Sequence, residues 1–204
     1  MQFGCGFSAP QGWINFDASP TLRFERIPWL GKLYTRNTQR FPAAVRWGDI
    51  TRGLPLAPGS CRGIYASHVL EHLSREDCAK ALRRTWEYLA PGGRFRLVVP
   101  DLEALAQEYL ASREVEAAGR FMEKSHLGQT RRARGWRGLL EVWLGNSRHL
   151  WMWDEKAMKV ALEAAGFRRI RRARFHDSED PRFQEVEEES RFQDCLAMEA
   201  QKEN

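Results

Sequence analysis

Between residues 61 and 111 the chain alternates twice between a short β-rich run and a capped helix, and this alternation limits its fold more than any other feature. Gly63-Ile64-Tyr65-Ala66-Ser67 reads as a strand. Ser74 with Asp77 three residues on makes a capping-box-like start, and Cys78, Ala81, Leu82, Trp86 and Leu89 follow at helical spacing before Pro91-Gly92-Gly93 ends the pattern. Phe95-Arg96-Leu97-Val98-Val99 is a second strand, stopped by Pro100, after which Asp101 caps a helix carrying Leu102, Leu105, Tyr109 and Leu110. A strand that returns through a helix pairs in parallel with its predecessor, because the crossover takes a dozen or more residues.

The same grammar extends to both sides. Trp13-Ile14-Asn15-Phe16 runs into Asp17, and Val45-Arg46-Trp47 leads through Gly48 to Asp49. Asp154 caps a helix with Ala157, Met158, Ala161, Leu162 and Ala165 on one face, closed by Gly166. Two terminal strands, at 167–175 and 194–200, flank an acidic segment. The prediction is an α/β fold: an open, mostly parallel sheet with helices on both faces and an antiparallel terminal strand. A chain of 204 residues fits one such core, since single cores stop growing at roughly 250–300 residues. Residues 1–204 are read as one domain, with residues 21–42 and 113–153 as segments that cover the site. Only six residues separate Gly6 from Trp13, so the first strand is short and the first helix is missing or very short.

Composition narrows the setting. At 43% hydrophobic and 29% charged residues the chain has the balance of a globular protein. It has no apolar run approaching the ~20 residues of a membrane span and no leader-like amino terminus, so a cytoplasmic protein without a membrane partner is expected. Cys5, Cys61, Cys78 and Cys195 are scattered, with neither disulfide nor zinc spacing, and are read as free thiols. The net charge of +5 favours an anionic partner, but it is unevenly spread: basic residues lead over 113–137, five arginines fall within 168–174, and 177–189 is acidic.

Ligands of open α/β sheets lie at the carboxyl ends of the strands. There this chain places Gly4-Cys5-Gly6, small enough for a ligand to approach the backbone; Asp17, suited to a ribose diol; Asp49 with Ile50, suited to an adenine edge and face; and Ser67-His68. The ordered set GCG, GWINFD, GDIT-x-GLPL, YASHVLEHL, EYLAPGGRFRLVVPD, RHLWMWD and LEAAGF resembles the type 11 group of class I S-adenosylmethionine-dependent methyltransferases over nearly the whole chain. HVLEHL and LAPGG, spaced around one helix, are its specific part. The resemblance implies a Rossmann-like methyltransferase sandwich with S-adenosyl-L-methionine as cofactor. It implies that Gly4, Cys5 and Gly6 approach the amino acid portion, Asp17 the ribose, Asp49 and Ile50 the adenine, and Ser67 and His68 the methionine side.

Methyl transfer from a sulfonium is an in-line displacement in which positioning supplies much of the acceleration. For a hydroxyl acceptor a base helps, and His149 and His68 are the catalytic candidates, His149 preferred because it precedes Leu150-Trp151-Met152-Trp153-Asp154. The acceptor is expected to be a small molecule, anionic or a glycan precursor. His68-Val-Leu-Glu71-His72 also fits the H-x-x-E-H zinc-peptidase pattern, which needs all three residues on one helix; His68 at a strand end breaks it, and no metal ligand is expected. A nicotinamide-dependent reductase would want G-x-G-x-x-G, and position 9 is Ala. The remaining alternative is a non-catalytic module binding the cofactor, or nucleic acid through residues 131–137 and 168–174.

Overall fold

The computed structural model describes residues 1–29, 31, 39–128 and 148–203. Seven strands form one sheet: β1 (Gln2–Phe3), β2 (Asn15–Asp17), β3 (Val45–Trp47), β4 (Cys61–Ser67), β5 (Leu89–Pro100), β6 (Arg168–Arg172) and β7 (Cys195–Gln201), in the order β3-β2-β1-β4-β5-β7-β6. The first five pair in parallel, and β7 runs antiparallel between β5 and β6. The expected α/β sheet with antiparallel termination is thus observed.

The helices start where their caps stand. Ser19 caps α1 (Pro20–Glu25), Ser74 caps α2 (Arg75–Tyr88), Asp101 caps α3 (Leu102–Ala111) and Asp154 caps α5 (Glu155–Ala164), each side chain accepting a first-turn backbone N–H. The short α4 (Ala117–Lys124) has no side-chain cap. No helix lies in residues 4–14, as the spacing required; the side chain of Gln2 fills that role by bonding the Ser8 carbonyl at 3.0 Å and Asn15 Oδ1 at 2.8 Å, which fastens the loop beside β2.

Alternation along the strands gives the sheet two different faces. Phe3, Phe16, Ile64, Phe95, Leu97 and Met198 meet α2 and α5 in the main core. Tyr65, Val98 and Ala197 face the other way, against Phe183 and Val186 from the 3-10 turn Pro181–Glu185. Helices on both faces were expected; among the described residues this second face, where a first helix would lie, is covered by the segment the sequence marks as acidic. That segment is not a solvated run. Arg96 of β5 is 1% exposed and pairs with Glu199 of β7 at 3.0 Å, with Asp177 at 3.0 Å and with Glu187.

One boundary differs from expectation. Pro91-Gly92-Gly93 does not separate helix from strand but lies inside β5, where Gly92 N–H donates to the Lys202 carbonyl at 2.8 Å and Lys202 N–H to the Gly93 carbonyl at 3.0 Å. Residues 21–42 include all of α1 but its first residue, Pro20, and Leu22 of that helix packs with Phe41 and Val45. Residue 30, residues 32–38 and residues 129–147, including much of the proposed cover and the basic run 131–137, lie outside the described residues. Among the described residues no helix is long and apolar enough to cross a membrane.

Candidate functional site

The parallel strands β1 to β4 all point their carboxyl ends at one edge, so the glycine loop, Asp17, Asp49 and Ser67-His68 share that edge. Gly4 and Gly6 have φ of +64° and +54°. A Cβ on Gly4 would stand 2.1 Å from Val69 Cγ2, whereas one on Gly6 would meet nothing within 4 Å. Gly4 is therefore a packing glycine, and Gly6 borders open space. The Cys5 and Gly6 amides are already spent: Cys5 N–H donates to the Phe16 carbonyl at 3.1 Å and Gly6 N–H to Asp17 Oδ2 at 2.9 Å.

Asp17 is 9% exposed, and its Oδ1 accepts the Ser19 N–H at 2.7 Å. Each oxygen keeps a lone pair, because a carboxylate offers about four acceptor sites. Asp49 Oδ1 accepts from Thr51 N–H at 2.9 Å and Thr51 Oγ at 2.7 Å, leaving its other oxygen uncommitted among the described residues. Ile50 is mostly spent on the main core. Beside the glycine loop lies a cleft of about 330 Å³ bordered by Gly4, Cys5, Ser67, Glu187 and Arg191. A larger groove of about 600 Å³ runs between α2 and α5, from Arg75, Trp151 and Trp153 to Ala164 and Ala165, and does not include the glycine loop, Asp17 or Asp49.

His68 leaves β4 with φ +54°, an uncommon backbone for a residue with a Cβ. Its Nδ1 bonds Ser67 Oγ at 3.0 Å and its Nε2 faces Cys195 Sγ at 3.5 Å. Burial, then the charges of Arg191, His149 and His72, push it down to about 4. Glu71 and His72 follow on the 3-10 turn Leu70–His72, so the H-x-x-E-H residues do not share a helix. The Glu71 carbonyl accepts Leu150 N–H at 2.7 Å and Trp151 N–H at 3.2 Å, which brings in His149. The His149 ring lies 5.0 Å from that of His72 and 4.9 Å from that of His126. Burial, then His72 and His126, push His149 down to about 4 as well. Both catalytic candidates are therefore neutral and weakly basic near pH 7.

Sequence reasoning passed over several residues of this edge. Glu71 carries no role of its own in the sequence reading, yet it is fully buried; Tyr65 is 3% exposed; Arg191, two residues past the acidic segment, acts by charge on His68, Glu71, Tyr65 and Cys195 alike. Nothing local marks Arg191, because its place depends on how residues 181–191 fold over the sheet. Two of the five arginines within 168–174 are paired inside the fold: Arg171 with Asp177 and Glu199, Arg172 with Asp101 and Glu155.

The fold has counterparts among known proteins. A family model described as a methyltransferase domain matches residues 8–171. An uncharacterized 37.1 kDa protein in transposon TN4556 of Streptomyces fradiae is 33% identical over 113 residues, which is 53% of this chain and 32% of that protein; the chain thus spans about a third of its length. A solved S-adenosylmethionine-dependent methyltransferase from Thermotoga maritima aligns over 99% of this chain and 81% of its own, with TM-score 0.52 and 15% identity. One from Archaeoglobus fulgidus aligns over 98% and 84%, with TM-score 0.51 and 17% identity. These two likenesses speak for the fold.

Proposed function

The chain belongs to the methyltransferase-domain family, with S-adenosylmethionine as its methyl donor, and from that premise we propose that it methylates a small anionic acceptor, a sugar phosphate or glycan precursor, at the carboxyl edge of β1 to β5. The observation that carries the cofactor assignment is Asp17: a buried carboxylate at the end of β2, bonded to Gly6, with lone pairs to spare next to a glycine whose side-chain direction is open. The donor set suits a ribose diol there and an adenine amino group at Asp49.

When bound, the cofactor supplies a methyl group on a sulfonium, whose positive charge is lost as the new bond forms. The chain's own contribution is position. Asp17 holds the ribose, Asp49 accepts from the adenine, Ile50 offers only the edge of an otherwise buried side chain, and the Gly4-Cys5-Gly6 path leaves room for the amino acid portion. Ser67 and His68 set the side of the cleft facing the acceptor. His68 and His149 remain the residues nearest a proton-accepting role, and their low basicity favours hydrogen-bonding the acceptor over full proton removal. Support for an anionic acceptor is the chain's net charge of +5 and Arg191 at the cleft, although Arg191 pairs with Glu188 at 3.5 Å and shares the cleft with Glu185 and Glu187. A cytoplasmic setting belongs to the same reading and is supported by four free cysteines.

Transfer of labelled methyl from S-adenosylmethionine to a panel of sugar phosphates and their neutral parent sugars tests the acceptor class. We expect turnover with anionic members, with Arg191→Gln raising KM far more than it lowers kcat. Equal turnover of neutral and anionic members would reject the anionic acceptor.

A further inference from the structure

At the flank of the site away from Asp17 and Asp49, Glu71, His72 and His149 each turn one ligand-type atom toward a common point, the three atoms lying within 4.8 Å of one another. Two of the three are anomalous as they stand. Glu71 is 0% exposed, and neither carboxylate oxygen has a hydrogen-bond partner. His149 is 8% exposed, and its Nδ1 meets no hydrogen-bond criterion, the Ser125 backbone being the polar group that acts on the ring. An unsatisfied buried polar atom is costly, and a charged one more so, so three of them in one place call for a partner. The third ligand has one nitrogen engaged: His72 Nδ1 lies 2.9 Å from the Arg148 carbonyl, which leaves Nε2 as its available ligand atom. Metal-bound histidines show the same arrangement, one nitrogen on the ion and the other donating to a carbonyl.

We infer that Glu71, His72 and His149 bind one divalent transition-metal ion of the manganese-to-zinc class, through two imidazole nitrogens and a carboxylate oxygen. The set has no thiolate, which disfavours soft ions, and too few oxygens for calcium or magnesium. At metal–ligand distances of about 2.1 Å, tetrahedral donor atoms stand roughly 3.4 Å apart, so binding draws the three side chains together by a small rotation.

Three protein ligands leave coordination positions open, the form of sites that bind a water or a substrate oxygen. If the proposed methyl transfer is correct, an ion held by these residues would be able to bind an anionic group of the acceptor and make a hydroxyl more acidic without a histidine base. Metal binding itself does not depend on that reading. His68, committed to Ser67 and Cys195, stays outside the cluster, so the proposal is not the helical H-x-x-E-H motif.

The test uses the full chain, stripped with a chelator and dialysed against Zn²⁺, Mn²⁺ or Co²⁺, with metal content measured per chain and the visible absorption of the Co²⁺ form recorded. We expect one ion per chain and a loss of affinity of at least ~10–100-fold in His149→Ala and in Glu71→Gln. The Glu71→Gln variant is isosteric with a protonated Glu71 and keeps the fold, checked by circular dichroism. Absence of stoichiometric metal in the intact chain, or binding that survives both substitutions, would overturn the site. Cofactor titration of the same samples keeps the two claims apart: metal without S-adenosylmethionine binding indicts the enzymatic reading, and the reverse indicts the metal.

Discussion

Gly4 and Gly6 share a left-handed backbone but owe it to different neighbours. Alanine at position 4 would drive a Cβ into Val69 as well as strain the backbone, for a loss of roughly 2–5 kcal/mol from overpacking and the left-handed penalty together. At position 6 only the backbone penalty of about 1–2 kcal/mol applies. Urea unfolding should therefore rank Gly4→Ala well below Gly6→Ala, and equal midpoints would show that Val69 does not pack on the loop. The strand-end residues were legible because each is marked by its own sequence: Asp17 and Asp49 end β-rich runs, and glycine pairs announce turns. The approach of His149 to His72 was not legible. It is made by the Glu71 carbonyl taking two amides from the other half of the chain, an interaction no local pattern encodes.

Among the elements, α3 depends on a single residue with two tasks. Asp101 caps the helix through Oδ1, accepting from Glu103 N–H at 3.0 Å, and its Oδ2 meets Arg172 at 2.6 Å. Arg172 is 49% exposed, so the ion pair is worth at most about 1 kcal/mol, while the cap is worth about 1–2 kcal/mol. Asp101→Asn keeps the cap and should cost little; Asp101→Ala should cost about 1 kcal/mol more, read as a lower unfolding midpoint. The reverse order would mean that the ion pair, not the cap, secures the helix. Caps at Ser74, Asp101 and Asp154 were readable because a cap bonds its own next turn. The extent of β5 was not, since Pro91-Gly92-Gly93 is held as strand by β7 and Lys202, which local propensity cannot anticipate.

For the whole molecule, the covered second face concentrates the electrostatic risk. Burial pushes the Glu199 carboxyl up, but bonds from Ser178 and Arg96 and the charges of Arg171 and Arg96 outweigh it and hold it below its usual 4.5. Asp177 behaves alike: burial raises it, and Arg171, the Arg174 amide and Arg96 bring it below 3.8. Folded values below the unfolded ones contribute stability that is complete above about pH 4.5 and lost as pH falls through the depressed values. Denaturant midpoints should hold steady above that pH and drop below it. Arg96→Met takes its ion-pair partner from the buried Glu187, while Asp177 keeps Arg171 and Glu199 keeps Arg94 and Arg171, and should cost about 3–5 kcal/mol near neutral pH. A small loss at neutral pH would show that the network is dispensable. The parallel order of the sheet was visible in the alternation of strands and caps, but the acidic run read as charge patchwork because its partners, Arg96 and Arg171, lie on other strands. The central claim, a methyltransferase site built around Asp17, is tested most directly by calorimetric titration of the purified chain with S-adenosylmethionine and S-adenosylhomocysteine, with NADH as control and Asp17→Ala as the variant. The account predicts saturable binding of both adenosyl ligands, none of NADH, and loss of binding in a variant that still unfolds cooperatively; failure of the intact chain to bind either adenosyl ligand, or undiminished binding by Asp17→Ala, would contradict it.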